Sequence, residues 1–261
     1  MAFSNTFHPL TTSLTRPEWR LAGIGLVAGL FSGLFGVGGG VIVVPLLIAT
    51  LGYDAKVATA TSLAGIVITS LAGMASHAAL GNVDVAKALA IGLPAVAGVL
   101  AGVALKGRIS SAALTYAFTV LVALIAVRML LPRGGHLHLP NAGAEVALAG
   151  GIGLAAGIVA GLFGVGGGAL FVPALALAFG LPADAAAGTS LLAMIPVSVV
   201  GSLRQRTLVR WHDALLLGVC STATAFLGAH IAAQTPDRAL RMLFACLLAL
   251  TAMDLARRAR Q

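Results

Sequence analysis

A glycine-rich signature occurs twice in this chain, as AGLFSGLFGVGGGVIVVP (28–45) and AGIVAGLFGVGGGALFVP (156–173). The two copies lie 128 positions apart and are identical at 12 of 18 positions. The same offset aligns a second motif, Thr-Ser-Leu, which stands at 61–63 and again at 189–191. We interpret the chain as an internal duplication of two homologous halves. A repeat of this kind within an apolar chain is typical of transporters whose site lies between the repeats.

The composition restricts this duplication to a membrane. Hydrophobic residues make up 59% of the chain and charged residues only 9%, whereas a soluble domain carries about 25% charged residues. Apolar segments of about 20 residues, long enough to cross the hydrocarbon core, recur along the chain. The sequence therefore predicts an all-α, polytopic integral membrane protein. We interpret the net charge of +8 as Lys and Arg in loops that orient the chain in the bilayer, not as a nucleic-acid-binding surface.

The apolar segments predict five regions along the chain. These are an N-terminal tail (1–20), a first membrane repeat (21–131), an inter-repeat linker (132–143), a second membrane repeat (144–256) and a basic C-terminal tail (257–261). The linker contains His136 and His138. Two histidines without a nearby carboxylate or cysteine form a weak metal site, so we expect a solvated linker. We predict no bound metal and no cofactor.

The first and fifth apolar segments, 20–51 and 143–180, are too long for one straight span. Each is interrupted by Gly-Val-Gly-Gly-Gly and then by a proline, Pro45 or Pro173, and we predict that glycines and proline both break the helix. Irregular backbone at membrane depth persists only where it is buried in protein or lines a watery cavity. We therefore expect two broken helices, one in each half.

Two topologies follow from these breaks. If each broken segment crosses completely, each half has four spans and the repeats are parallel. If each turns back as a re-entrant hairpin, each half has three full crossings and the repeats are inverted. Both arrangements place eleven of the sixteen Lys and Arg residues on one side, so the positive-inside rule puts both termini in the cytoplasm without separating them. We favour the inverted arrangement, which brings the two breaks to the midplane from opposite sides.

The backbone after each glycine run is the first candidate binding site. A new helix is expected from Val41 and from Ala169, so its free N–H groups point back into the break. A helix N-terminus binds anions through those groups and through its dipole. The alternative is that the glycines only permit close helix packing. The predicted substrate-binding residues here are Gly38, Gly39, Gly40, Val41, Gly166, Gly167, Gly168 and Ala169.

Paired polar residues on the following helices are further candidates. Hydroxyl groups of Thr61, Ser62, Thr189 and Ser190 are predicted to line the site, although Ser and Thr in helices also bond a backbone carbonyl one turn back. Three further residues, His77, Arg204 and Gln205, lie near helix ends. They are candidates for a vestibule through which anions enter, or for interfacial anchors of the helix ends.

The positions of the acidic residues narrow the function. All eight fall in loops or near segment ends, whereas proton- and sodium-driven carriers commonly use an intramembrane carboxylate. No constellation of catalytic residues is present at membrane depth, so the chain is not expected to be an enzyme. The predicted partners are a small anionic substrate and the lipid bilayer, with no nucleic acid.

Taken together, these motifs resemble the TauE/SafE family of sulfite exporters. The resemblance is carried by the doubled Gly-Val-Gly-Gly-Gly with its proline, by the paired Thr-Ser-Leu, and by Gly-Asn-Val-Asp at 81–84 after a helix ending in His77. It covers about 21–255. It implies a bacterial inner-membrane permease for sulfite, related sulfur oxyanions or organosulfonates. A permease for a small organic carboxylate and a non-transporting membrane scaffold remain as alternatives, and analogy of fold suggests a homodimer.

Overall fold

The computed structural model describes residues 18–130 and 142–258, and all ten regular elements within these ranges are α-helices. Six of them contain stretches long and apolar enough to cross a membrane. The predicted all-α, polytopic fold class is confirmed. The helices are α1 (Glu18–Phe35), α2 (Gly40–Leu51), α3 (Ala55–Ala79), α4 (Val85–Lys106), α5 (Ser111–Leu130), α6 (Ala142–Phe163), α7 (Gly168–Leu177), α8 (Ala183–Arg204), α9 (Trp211–Gln234) and α10 (Asp237–Arg258).

Both predicted glycine breaks are present. One interrupts the chain between α1 and α2, and the other between α6 and α7. Each short helix begins one residue earlier than expected, at Gly40 and at Gly168. The helix order is the same in the two halves, with a long helix, a break, a short helix and three further long helices. The common origin of the halves stays a prediction.

The two prolines do not break the helices, so that part of the prediction is wrong. Pro45 lies inside α2 and Pro173 lies inside α7, each in a helix that continues beyond it. An interior proline removes one backbone hydrogen bond. Membrane helices tolerate this loss because neighbouring helices and local backbone adjustments compensate for it. The interruption in each half is therefore made by the glycines alone.

The helix directions fit the re-entrant, inverted alternative. The guanidinium of Arg20, near the start of α1, donates to the carbonyl oxygen of Thr50, near the end of α2, at 3.3 Å. The pair α1 and α2 thus forms a hairpin that returns to the side from which it started.

The equivalent helices α3 and α8 run antiparallel. A Cβ atom placed on Gly201 would lie 3.2 Å from Leu63, and one placed on Gly73 would lie 2.8 Å from Leu191. The start of α3 therefore meets the end of α8, and the end of α3 meets the start of α8. Equivalent helices in opposite directions are what an inverted repeat requires.

Small residues join the two halves. A Cβ atom placed on Gly29 of α1 would lie 2.1 Å from the carbonyl oxygen of Ser221 of α9. On the other side, one placed on Gly157 of α6 would lie 2.1 Å from the carbonyl oxygen of Ala95 of α4. The first helix of each half thus packs backbone to backbone against the fourth helix of the other half, as small residues allow in membrane helices.

The predicted tails and inter-repeat linker fall largely outside the described ranges, and His136 and His138 lie wholly outside them. Among the residues of 18–130 and 142–258, no group of three or more His, Cys, Asp or Glu side chains is arranged to hold a metal ion.

Candidate functional site

The two glycine breaks lie against each other in the interior. A Cβ atom placed on Gly40 would lie 2.8 Å from Cα of Val165, and one placed on Gly168 would lie 2.7 Å from Cα of Val37. The backbone of each break therefore touches the backbone of the other. Because α2 and α7 begin at these glycines, the N-termini of two helices meet at one point, and the positive ends of their dipoles meet there too.

The backbone conformation at the break requires glycine. Gly39 and Gly167 precede the short helices with φ of 77° and 91°, a left-handed conformation that other residues adopt at a cost. The carbonyl of Gly39 accepts the amides of Ile42 and Val43 at 3.0 and 2.9 Å. Within the described chain, the amides of Gly38 and Gly39 donate no hydrogen bond. The break thus presents backbone donors next to a buried interface.

Two apolar side chains pack against both breaks. A Cβ atom placed on Gly38 would lie 2.4 Å from Cε of Met194, and one placed on Gly166 would lie 2.5 Å from the same atom. Cγ2 of Ile66 lies 3.0 and 3.1 Å from the same two Cβ positions. Ile66 and Met194 stand 128 positions apart and so occupy matching places in the two halves. We refer to this pair as the central plug.

The predicted serines hold the breaks together. Ser62 donates to the carbonyl oxygen of Gly164 at 2.9 Å, and Ser190 donates to that of Gly36 at 2.9 Å. Each serine of one half therefore fixes the break of the other half. Both hydroxyl groups are buried, and both form hydrogen bonds within the protein in this conformation. Their role here is to position the breaks.

The predicted threonines are used in the same reciprocal way. The backbone amide of Asp84 donates to Thr189 at 2.9 Å, and that of Arg210 donates to Thr61 at 3.1 Å. Asp84 and Arg210 are the residues immediately before α4 and α9. Each threonine therefore anchors the start of a long helix of the other half, and neither hydroxyl donates to the opposite break.

Asp84 also caps its own helix. Its carboxylate accepts the backbone amide of Lys87 at 3.0 Å and the ammonium of Lys87 at 2.7 Å. Hydrogen bonds from the side chain and backbone of Lys87 hold the pKa of the Asp84 carboxyl below its ordinary value. The ionised carboxylate is therefore the form that the fold favours.

Ser70 and Ser198 also lie beside the breaks, and sequence reasoning missed them. Their Oγ atoms lie 3.4 Å from the Cβ position of Gly38 and 3.1 Å from that of Gly166. Both side chains are 0% exposed and neither hydroxyl has a hydrogen-bond partner. Buried hydroxyls without partners are uncommon and call for an explanation. The 128-residue offset pairs these two serines and was the available signal.

The proposed vestibule is not supported by the burial of its members. His77 is 0% exposed, with Nε2 2.8 Å from the carbonyl oxygen of Gly33, and Gln205 is 4% exposed, with its amide donating to Gly201. Only Arg204 of the three predicted residues is exposed. The side chains of His77 and Gln205 therefore do not line an opening at the protein surface in this conformation.

Aromatic pairs support each break from the other half. Phe35, at the end of α1, stacks on Phe244 of α10 with ring centroids 5.1 Å apart, and Phe163, at the end of α6, stacks on Phe118 of α5 at 5.3 Å. Such pairs contribute about 0.5–1.5 kcal/mol beyond their burial. The helix ends that precede the breaks are thus held in place from across the interface.

Comparison with known proteins identifies related chains. The family model described as "Sulfite exporter TauE/SafE" matches residues 21–260. A "probable membrane transporter protein" of Xylella fastidiosa is 30% identical over 205 residues, which cover 74% of this chain and 76% of that protein. The probable membrane transporter protein YjnA of Bacillus subtilis is 30% identical over 250 residues, covering 89% and 97% of the two chains. No solved structure matches.

Proposed function

The chain belongs to the sulfite exporter TauE/SafE family, and we propose that it moves sulfite or a related sulfur oxyanion or organosulfonate across the bacterial inner membrane. That the chain is a multi-pass membrane transporter follows from the family and from the six apolar helices among the described residues. That relatives are named as transporters also fits a chain that is not an enzyme. The proposal of an anionic substrate is supported by the chemistry of the site.

One observation carries this proposal. The N-termini of α2 and α7 meet, and the unpartnered hydroxyls of Ser70 and Ser198 face the same place. An oxyanion accepts hydrogen bonds from both kinds of donor. Each helix dipole favours an anion by about 0.3–1 kcal/mol at an exposed surface and by up to about 2 kcal/mol in a partly buried geometry. A compact anion with several acceptor oxygens satisfies these converging donors better than a cation or a neutral solute.

The central plug explains how such a site is kept closed. Ile66 and Met194 pack against both breaks, so an anion that passes this point must displace these side chains. Methionine is unbranched and adopts many conformations, which suits it to this movement. Helices α3 and α8, which carry the plug, also carry Ser70 and Ser198. A shift of these helices therefore moves plug and hydroxyls together, as alternating access requires.

The membrane orientation is part of the proposal. With the re-entrant arrangement of the breaks, eleven of the sixteen basic residues fall on the side of the termini. The positive-inside rule then places both termini in the cytoplasm. Proteolysis of a C-terminal tag in right-side-out and inside-out vesicles tests this orientation, because only the exposed tag is cleaved.

The substrate is tested by uptake of radiolabelled sulfite into proteoliposomes under reducing conditions. Unlabelled sulfate, thiosulfate, an organosulfonate and acetate serve as competitors, and empty liposomes as the control. We expect saturable uptake that sulfur oxyanions inhibit and acetate does not. Uptake inhibited mainly by acetate would support a carboxylate permease instead. Absence of any anion flux from folded, inserted protein would favour the scaffold hypothesis.

A further inference from the structure

One lysine is buried, against the expectation that Lys and Arg lie in loops. Lys106, the last residue of α4, is only 2% exposed. Its ammonium donates to the hydroxyl oxygen of Thr59 at 2.8 Å, and that hydroxyl in turn donates to the carbonyl oxygen of Lys56. An ionisable side chain buried within a membrane protein is costly and commonly marks a functional position.

The charge of Lys106 is not balanced by a carboxylate. Among the residues that the structure describes, no Asp or Glu forms an ion pair with it. The charged groups that act on it are Lys56, which repels, and Asp54, which attracts. The carboxylate of Asp54 already accepts hydrogen bonds from Ser111 and from the amide of Lys56. Lys106 therefore lies in a desolvated place without a carboxylate in direct contact, and an anion could supply the counter-charge there.

Lys106 is connected to one break and not to the other. A Cβ atom placed on Gly164 would lie 2.5 Å from Cα of Thr59, the residue that holds the ammonium. In the other half, Gly36 meets Ala187 in the same way, at 2.3 Å from its Cα. The later stretches 102–114 and 228–240 align at an offset of 126, which matches Lys106 with the buried Ala232. At these matched positions one break therefore has a hydroxyl group and a lysine side chain, whereas the other has two alanines.

A small cavity adjoins the same threonine. Thr59 and Thr115 are the polar residues of its lining, and the other lining residues are apolar, among them Phe118 and Phe163, the aromatic pair behind the second break. Its volume of about 10 Å³ holds roughly one water molecule. An oxyanion therefore needs the surrounding side chains to move, as they must in a transporter that opens and closes.

We propose that Lys106, with Thr59, forms a second anion-binding position on the Gly164 side of the paired breaks, and that it takes a small oxyanion in transit. This inference rests on the proposed function and deepens it, because it makes the two ends of the pathway chemically unequal. The anion supplies the counter-charge that the protein lacks at this point. Lys106 acts by charge and hydrogen bonding, so Arg at this position retains part of the function.

The test compares Lys106→Met, Lys106→Arg and Thr59→Val with the control Arg108→Met. Arg108 is an exposed cation two residues further along, so the control makes the same change in net charge at the surface. We measure KM for sulfite uptake in proteoliposomes and the shift in melting temperature caused by sulfite in detergent. Lys106→Met is expected to raise KM about tenfold and to abolish the shift, because a charged hydrogen bond is lost. Lys106→Arg is expected to keep KM and the melting shift close to their wild-type values, and Thr59→Val to raise KM by a smaller factor. Arg108→Met is expected to leave KM and the melting shift unchanged.

The outcomes separate this inference from the proposed function. Removing a buried charge that has no carboxylate partner is expected to leave the fold as stable or more stable, whereas a purely structural Lys106 would lose stability in Lys106→Met with KM unchanged. That second result, beside normal uptake by the wild-type protein, overturns the inference and leaves the function standing. If the wild type transports no anion, the change in its melting temperature on adding an oxyanion tests the inference instead. A wild-type protein that no oxyanion stabilises overturns the inference as well. Should Lys106→Met fail to fold, an unchanged KM in folded Thr59→Val has the same meaning.

Discussion

The hydroxyl of Ser62 donates a hydrogen bond to the carbonyl oxygen of Gly164, 102 residues away, at 2.9 Å. Its counterpart Ser190 donates to Gly36 at the same distance. Each break leaves backbone groups that the regular helix would have paired, and in a membrane interior such groups are costly when unpaired. A serine of each half donates a hydrogen bond to a carbonyl of the other half's break. The backbone groups of neither break are therefore fully paired without the other half.

This exchange predicts a stability defect in Ser62→Ala and in Ser190→Ala. Each substitution leaves a buried carbonyl with one partner fewer, which costs about 1–3 kcal/mol. Thermal unfolding in detergent measures the loss. Thr50→Ala is the matched control, because the Thr50 hydroxyl is exposed and bonds its own helix at Leu46. Melting temperatures for Ser62→Ala and Thr50→Ala that match the wild type would contradict the positioning role.

The opposite pattern is expected for Ser70→Ala and Ser198→Ala. These hydroxyls have no partner in the protein, so removing them leaves the melting temperature unchanged or slightly higher. If they bind the anion, KM for sulfite rises about tenfold, as expected for a lost hydrogen bond to a charged group. Paired melting and uptake measurements test both halves of the statement. A normal KM in both variants, or a clear loss of stability, would remove these serines from the site.

Gly39→Val and Gly167→Val are expected to abolish transport. Both residues have positive φ, where a side chain costs about 1–2 kcal/mol or more. A Cβ atom would also lie 2.8 Å from Ala28 in the first case and from Phe171 in the second. Uptake is compared at equal amounts of folded, inserted protein, with Gly23→Ala as the control because no atom lies within 4 Å of its Cβ position. Full uptake by both folded valine variants would disprove the broken-helix site.

Acidification is expected to remove the contribution of Asp84. Lys87 lowers the pKa of this carboxyl in the folded protein, so the stabilisation is complete above the ordinary pKa of about 4 and disappears as pH falls through the folded-state value. Asp84→Asn keeps a helix-capping side chain but lacks the charge. The wild type should therefore be more stable than Asp84→Asn near about pH 6, and the difference should shrink towards about pH 3. A difference in melting temperature that does not change with pH would contradict this explanation.

Close packing of the halves predicts a further stability effect. A Cβ atom on Gly29 meets the Ser221 carbonyl oxygen at 2.1 Å, so Gly29→Ala must push α1 and α9 apart. Because small residues supply the contact between membrane helices, we expect a lower melting temperature. Gly151→Ala on α6 is the control, since no atom lies within 4 Å of its Cβ position. Equal melting temperatures for the two variants would show that the interface adapts without loss.

The local sequence pattern was sufficient to predict the class of protein and the positions of the two breaks. Continuous apolar segments of membrane length predict the helices, and four glycines within five residues predict where each broken helix ends. Gly39 and Gly167 adopt a conformation that glycine favours, so their role is readable from residue type alone. The prolines misled because a membrane helix surrounded by other helices tolerates Pro45 and Pro173 in its interior.

The sequence alone thus determined that the chain is an apolar, all-helical protein with two glycine breaks, because composition and local conformational preference act over a few residues. Only the tertiary structure decided that the helices on either side of a break form a hairpin and that the backbones of the two breaks are in contact. It also decided that the Ser62 hydroxyl is hydrogen-bonded to the carbonyl of Gly164 whereas the Ser70 hydroxyl has no partner, and that Lys106 is buried rather than exposed. The physical reason is that these properties depend on contacts between residues far apart in the chain, and no local pattern records which of two similar hydroxyls meets a carbonyl of the other half.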